Sequence, residues 1–172
     1  MNCWIWSTAF HARDVKLTER LDYYGAIIFV MYTTMMTIMF TMNITSKKSQ
    51  YTVFLLSLIA IITHISYMQF ISFDYGWNIK VLALSFASKF TCGAIWWLRN
   101  RKTKPHAYMS VTFEACLALA GLFEVLDFPP YLQIFDAHSI WHILTVPLGY
   151  YYYWMVMKEI EQYNTLYLHS RI

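Results

Sequence analysis

The sequence predicts an all-α, polytopic transmembrane helical bundle, and three observations carry that prediction. Apolar residues make up 58% of the 172-residue chain and charged residues only 13%, against roughly 45–50% and about 25% in soluble domains. The apolar residues are gathered into runs of about 20, the length at which a helix crosses a hydrocarbon core. Charge clusters and the helix-breaking Phe128-Pro129-Pro130 bound these runs. Aromatic residues reach 19% beside five Gly and four Pro, which excludes a disordered or low-complexity chain. No basic cluster is interleaved with aromatic residues, so a nucleic-acid-binding module is excluded as well. Cys3, Cys92 and Cys116 are odd in number and lack metal-type pair spacing, so they read as small core residues.

Taken in order, residues 1–12 read as the closing half of a helix, without the basic leader and small-residue cleavage site of a signal peptide. The next helix is expected at about 21–42, where residues 23–42 carry no charge. A third, at about 50–72, is interrupted only by His64. The helix at about 77–98 carries Lys80 and Lys89, and the one at about 107–126 carries Glu114 and Glu124. The last, at about 137–157, follows the Pro-Pro loop, contains Pro147 one turn beyond His142 and ends in an aromatic run at 150–154. No internal repeat or long linker interrupts the chain, so residues 1–172 read as one helical domain.

Orientation follows from the basic residues of the short loops. One face receives Lys47, Lys48, Arg99, Arg101, Lys102, Lys104, Lys158 and Arg171. The other receives Arg13, Lys16 and Arg20, diluted by Asp14, Glu19 and Asp22, together with Asp74, Asp127 and Asp136. The first face is therefore expected in the cytosol with the C-terminus, and the second in a lumen or outside the cell.

On this topology His11 lies at the luminal end of the first helix, Asp22 at the luminal start of the second, and His138 and His142 at the luminal start of the last. Ser7 and His11 stand four apart, as do His138 and His142, which places each pair on one helix face about one turn apart. Three imidazoles, a carboxylate and a hydroxyl thus reach one depth. Three His side chains and a water make an open catalytic Zn2+ site, although a lone HxxxH pair also lines polar cavities. Asp22 reads either as the general base and then acid toward an attacking water, or as a charge at a helix N-terminus. Ser7 reads either as a donor to a developing oxyanion or as a side chain bonded to a backbone carbonyl.

These residues resemble a known group. Ser7-x-x-x-His11, then Asp22, then His138-x-x-x-His142 look like the signature of the CREST superfamily of membrane hydrolases. The surrounding stretches, Asn2-Cys3-Trp4-Ile5-Trp6-Ser7, Phe10-His11-Ala12-Arg13-Asp14, Leu17-Thr18-Glu19, Leu21-Asp22-Tyr23, Phe135-Asp136-Ala137-His138 and Trp141-His142, resemble its Per-one-like family over essentially the whole chain. The resemblance implies a GPI-specific phospholipase of the Golgi or endoplasmic reticulum membrane, with its active site facing the lumen. It would remove the sn-2 acyl chain from the anchors of GPI-anchored proteins. It implies that His11, His138 and His142 hold zinc, with Ser7 and Asp22 as catalytic residues beside it. Members usually begin with a signal peptide and a Cys-rich luminal region, followed by seven spanning helices. A fold lacking the first helix and part of the second is therefore expected here.

Three rival readings stay open. A ceramidase-like amide hydrolase would use the same metal chemistry. A receptor would keep zinc only as a tie between helices, and a truncated form would be inactive. A haem carrier is disfavoured, since its axial ligands must approach from opposed depths whereas these three share one.

Among the remaining polar residues, Lys89 and Glu114 lie at matched depth on antiparallel helices and are expected to pair, because an unpaired charge there is costly. Lys80 and Glu124 match nearer the lumen, where they either pair or snorkel, and Glu124 can instead sit beside the metal ligands. His64 reads as a neutral, hydrogen-bonded core residue, His106 and His169 as interfacial or terminal. Asp136 reads as the cap of the last helix, or as a residue orienting His138 or His142.

Two outcomes are expected. Asn43-Ile44-Thr45 fits a glycosylation sequon but lies on the cytosolic face, so glycosidase treatment of the chain from secretory cells should leave its mass unchanged. A glycan on Asn43 would invert the topology. Lys89→Met and Glu114→Leu should each lower accumulation of folded protein, and wild-type yields of both would contradict the pairing.

Overall fold

The computed structural model describes residues 2–126, 128–131 and 135–169, without the side chains of residues 2, 3, 124, 138 and 166–169. Asp127, Arg171, the thiol of Cys3, the carboxylate of Glu124 and the imidazoles of His138 and His169 lie outside the described residues. Six helices follow one another: α1 (Asn2–Ala12), α2 (Lys16–Thr41), α3 (Lys47–Phe70), α4 (Tyr75–Asn100), α5 (Tyr108–Leu126) and α6 (Ala137–His169). Among the described residues, extended pairing is limited to the isolated bridge between Tyr131 and Phe135. The all-α class expected from the composition is the one observed.

Among the described residues three helices, α2, α3 and α4, are long and apolar enough to cross a membrane, and α5 holds a shorter apolar stretch, Tyr108–Phe123. Their outward surfaces need such a solvent. On α3, Leu56 is 62% exposed and Ile59 and Ile62 are more than half exposed. A surface of that kind is stable against hydrocarbon and not against water.

The chain forms two compact units, Met1–Cys92 and Gly93–Ile172. In the first, α1 packs on α2 and α2 on α3. α2 starts at Lys16, five residues before the expected position. The Thr18 hydroxyl accepts from the Val15 N–H at 3.2 Å and donates to the Arg13 carbonyl at 2.7 Å, which closes the 13–15 link and lets the charged first turns be helical. At the other end the Ile44 N–H reaches the Met39 carbonyl and the Asn43 N–H that of Phe40, with Asn43 at φ 49°. This is a Schellman stop, and Asn tolerates the left-handed conformation it demands. The sequon asparagine is thus a helix cap.

α4 is started by Asp74, whose Oδ1 accepts from the Trp77 N–H at 3.0 Å. His64 finds its partner on this helix: its Nε2 donates to Asn78 Oδ1 at 3.1 Å, both side chains being buried. The hydrogen bond expected for His64 is present. Its partner, 14 residues along the chain, carried no recognisable signal. Lys89 and Glu114 are each buried within their own units.

In the second unit α5 packs on α6. Ser110 Oγ donates to the Gly93 carbonyl at 3.2 Å, drawing the start of α5 onto the end of α4. α6 continues twelve residues past the expected end at 157. Its polar continuation is helical because its charges are matched. Lys158 pairs with Glu161 at 2.9 Å, Glu159 takes both Lys104 and His106 from the α4–α5 loop, and Gln162 donates to the Thr103 carbonyl. His106, read from sequence as interfacial, is buried between Glu159 at 2.8 Å and the Trp96 ring.

Glu159→Gln should therefore loosen the 101–107 loop. Because the groups are partly exposed, the cost should be about 1 kcal/mol, read as a small drop in melting temperature with faster amide exchange confined to 101–107 and 159–162. Unchanged exchange there would show that the clamp does not hold the loop.

Candidate functional site

Ser7, His11 and Asp22 all belong to the α1–α2 hairpin. Ser7 is buried in α1, His11 is exposed in its last turn with its ring 5.2 Å from that of Phe10, and Asp22 is half-buried on α2. The three-residue link at 13–15 turns α2 back along α1. Ser7 precedes Ala12 by five residues and Asp22 follows Lys16 by six. At about 1.5 Å per residue, both lie about 8–9 Å from the helix ends that face the link. The hairpin therefore sets the hydroxyl and the carboxylate at one height, with His11 nearer the link.

His142 and the backbone of His138 belong to the start of α6. Asp136 caps that helix as expected, its Oδ1 accepting from the Ser139 N–H at 2.7 Å while Ser139 Oγ accepts from the Asp136 N–H at 3.0 Å. This reciprocal pair fixes the first turn, on which His138 lies. His142, one turn on, is half-buried, and its ring meets the Trp141 ring edge-on at 4.6 Å.

An apolar groove of about 780 Å³ runs between the 128–131 loop, Phe135 and the α6 side chains Ile140, Ile143 and Leu144. A large apolar groove is the usual first candidate for a ligand site. Here helical geometry argues otherwise, since positions 140, 143 and 144 lie about 170° around α6 from positions 138 and 142 at 100° per residue. The groove and positions 138 and 142 occupy opposite faces of one helix.

Among the described residues no three His, Cys, Asp or Glu side chains form a metal-holding group, and the His138 imidazole is outside them. The chemistry of the donors nonetheless suits zinc. His11 is exposed and His142 half-buried, and imidazole nitrogen is a standard zinc donor.

Sequence reasoning missed a polar cluster on the far face of α2 from Asp22. Arg20 and Tyr24, one turn apart on α2, both reach Gln69 Oε1 of α3. Their i, i+4 spacing was the available signal, but nothing in the sequence named Gln69 as their common partner.

The model of the Per1-like family matches residues 1–160. A Danio rerio protein named GPI-specific phospholipase A2-like PGAP3 is 35% identical over 170 residues, covering 96% of this chain and 52% of its own length. Its Mus musculus namesake is 34% identical over 148 residues, 86% of this chain and 46% of that one. Protein PER1 homolog of Schizosaccharomyces pombe is 33% identical over 167 residues, 92% of this chain and 50% of that one. The chain spans about half the length of these relatives. No solved structure matches it.

Proposed function

Because the chain belongs to the Per1-like family, we propose that it acts in GPI-anchor remodelling, as a membrane hydrolase that removes the sn-2 fatty acyl chain from the anchor lipid of GPI-anchored proteins. The observation that carries this reading is the family match over residues 1–160, which takes in Ser7, His11, Asp22, His138 and His142 together. The names of the relatives support the phospholipase class.

In this reading His11, His138 and His142 would hold a zinc ion, which would supply Lewis-acid chemistry toward an ester carbonyl. Asp22 takes a proton from the attacking water and returns it to the leaving glycerol oxygen, so that ester and water become acid and alcohol with no further reactant. The Ser7 hydroxyl, at the height of Asp22, donates to the oxyanion that develops at the carbonyl. The site faces the lumen of the Golgi or endoplasmic reticulum and the C-terminus faces the cytosol. The distribution of Lys and Arg supports this orientation, since it sets the ends bearing these residues opposite the basic loops.

The test is acyl release from a GPI-anchored protein incubated with the purified chain, with products read by mass spectrometry. A lyso-GPI product is expected, and Asp22→Ala should lower its rate by about 10²–10⁴-fold, the usual worth of a positioned acid–base. Release of a sphingoid base instead, or undiminished release by Asp22→Ala, would overturn the assignment.

A further inference from the structure

At the shared end of α2 and α3, a guanidinium is held in place without a carboxylate. Arg20 Nη1 donates to Gln69 Oε1 at 3.1 Å, and the Tyr24 hydroxyl donates to the same oxygen at 2.8 Å. The guanidinium carbon stands 5.7 Å from the centroid of the Phe73 ring. Phe73 in turn lies 5.2 Å from Tyr23, whose ring is 6.0 Å from that of Tyr75. Arg20 thus sits over an aromatic floor with its only protein hydrogen bond, among the described residues, going to a neutral amide. None of the ion pairs among those residues includes it.

The place of this cluster narrows what can complete it. Gln69 is the penultimate residue of α3, Arg20 opens the second turn of α2, and Phe73 lies in the 71–74 link. Both helices are long and apolar enough to cross a membrane, so this end falls in the polar layer, about 5–8 Å thick, that flanks the hydrocarbon. The anions of that layer are lipid phosphodiesters. A guanidinium presents its N–H donors as a planar fork that matches phosphate oxygens two at a time, and stacking on a ring holds the plane of the fork. With Oε1 of Gln69 occupied by Arg20 and Tyr24, its amide NH2 remains as a further donor beside the fork.

We propose that Arg20, positioned by Gln69 and Phe73, binds the phosphodiester of a glycerophospholipid at this face of the membrane. The assignment rests on the hydrolase reading for its consequence. Asp22 is about 3 Å further along α2 and about 200° around it, so Arg20 is remote from the reacting atoms yet at nearly their depth. A lipid whose phosphate is held there has its acyl esters near the level of Asp22. At its own face of α2, Arg20 then favours phosphoglycerolipids over ceramide-like lipids, which offer it no phosphate.

The test is lipid binding to the detergent-purified chain by native mass spectrometry. The probes are dioleoyl phosphatidylinositol and dioleoylglycerol, the former also with millimolar inorganic phosphate as competitor. Phosphatidylinositol adducts should exceed dioleoylglycerol adducts about tenfold, the value of a charge-assisted hydrogen bond. Arg20→Gln should abolish the difference, Arg20→Lys restore only part of it, and Gln69→Leu weaken it several-fold, with helical circular dichroism unchanged in all three. An interfacial anchor alone would make Arg20→Lys equal to wild type, which overturns the proposal, as does equal binding of the two lipids by the wild-type chain. Displacement of the lipid by inorganic phosphate would overturn the lipid assignment. Arg20-dependent lipid binding without any acyl release would fell the hydrolase reading and leave this one standing. Acyl release from lipid by a chain whose Arg20→Gln variant still prefers phosphatidylinositol to dioleoylglycerol in binding would do the reverse.

Discussion

The constraint on which the structure depends is that hydrocarbon offers no hydrogen-bond partners. Backbone groups in α2, α3 and α4 must be satisfied within each helix, which is why the sequence collects its apolar residues into helix-length runs. The same constraint governs side chains. His64 is tolerable deep in α3 because Asn78 Oδ1 accepts a hydrogen bond from its ring N–H, and threonines such as Thr34 and Thr37 return their hydroxyls to carbonyls of their own helix at 2.8 and 2.9 Å. Exposed Leu56, Ile59 and Ile62 are the complement: side chains that gain nothing from protein contact and need none in lipid.

Polar chemistry is thereby pushed to the helix ends, and each end is closed by its own device. Thr18 locks the start of α2, Asn43 its stop, Asp74 the start of α4 and the Asp136–Ser139 pair the start of α6. The proposed catalytic residues lie within two turns of such ends. A cap that fixes the first turn of a helix also fixes the direction in which a side chain one turn later leaves it. The Asp136–Ser139 cap serves His142 in this way, and the closed 13–15 link serves Asp22 and Arg20.

Much of the fold was legible because apolar run length is a strong signal. The helix ends were less so. The early start of α2 depends on one threonine reaching back to Val15, and the extension of α6 to His169 depends on Glu159 gathering Lys104 and His106 from 53–55 residues away. Interactions between distant positions leave no local pattern. The candidate site residues were nominated on a different ground. The i, i+4 pairs are local, and the basic loops give an expected depth, so spacing and expected topology nominate Ser7, His11, Asp22, His138 and His142. The Arg20–Tyr24–Gln69 cluster shows the limit: the pair on α2 is visible in sequence, and the α3 residue that joins them is not.

The central claim is that residues near the two ends of the sequence serve one metal. The direct test is the metal content of the detergent-purified chain by elemental mass spectrometry, beside His11→Ala and His138→Ala. About one zinc per chain, lost in both variants while helical content is retained, is the expected result. Zinc that survives either substitution, or a folded chain that takes up none when zinc is supplied, would contradict it.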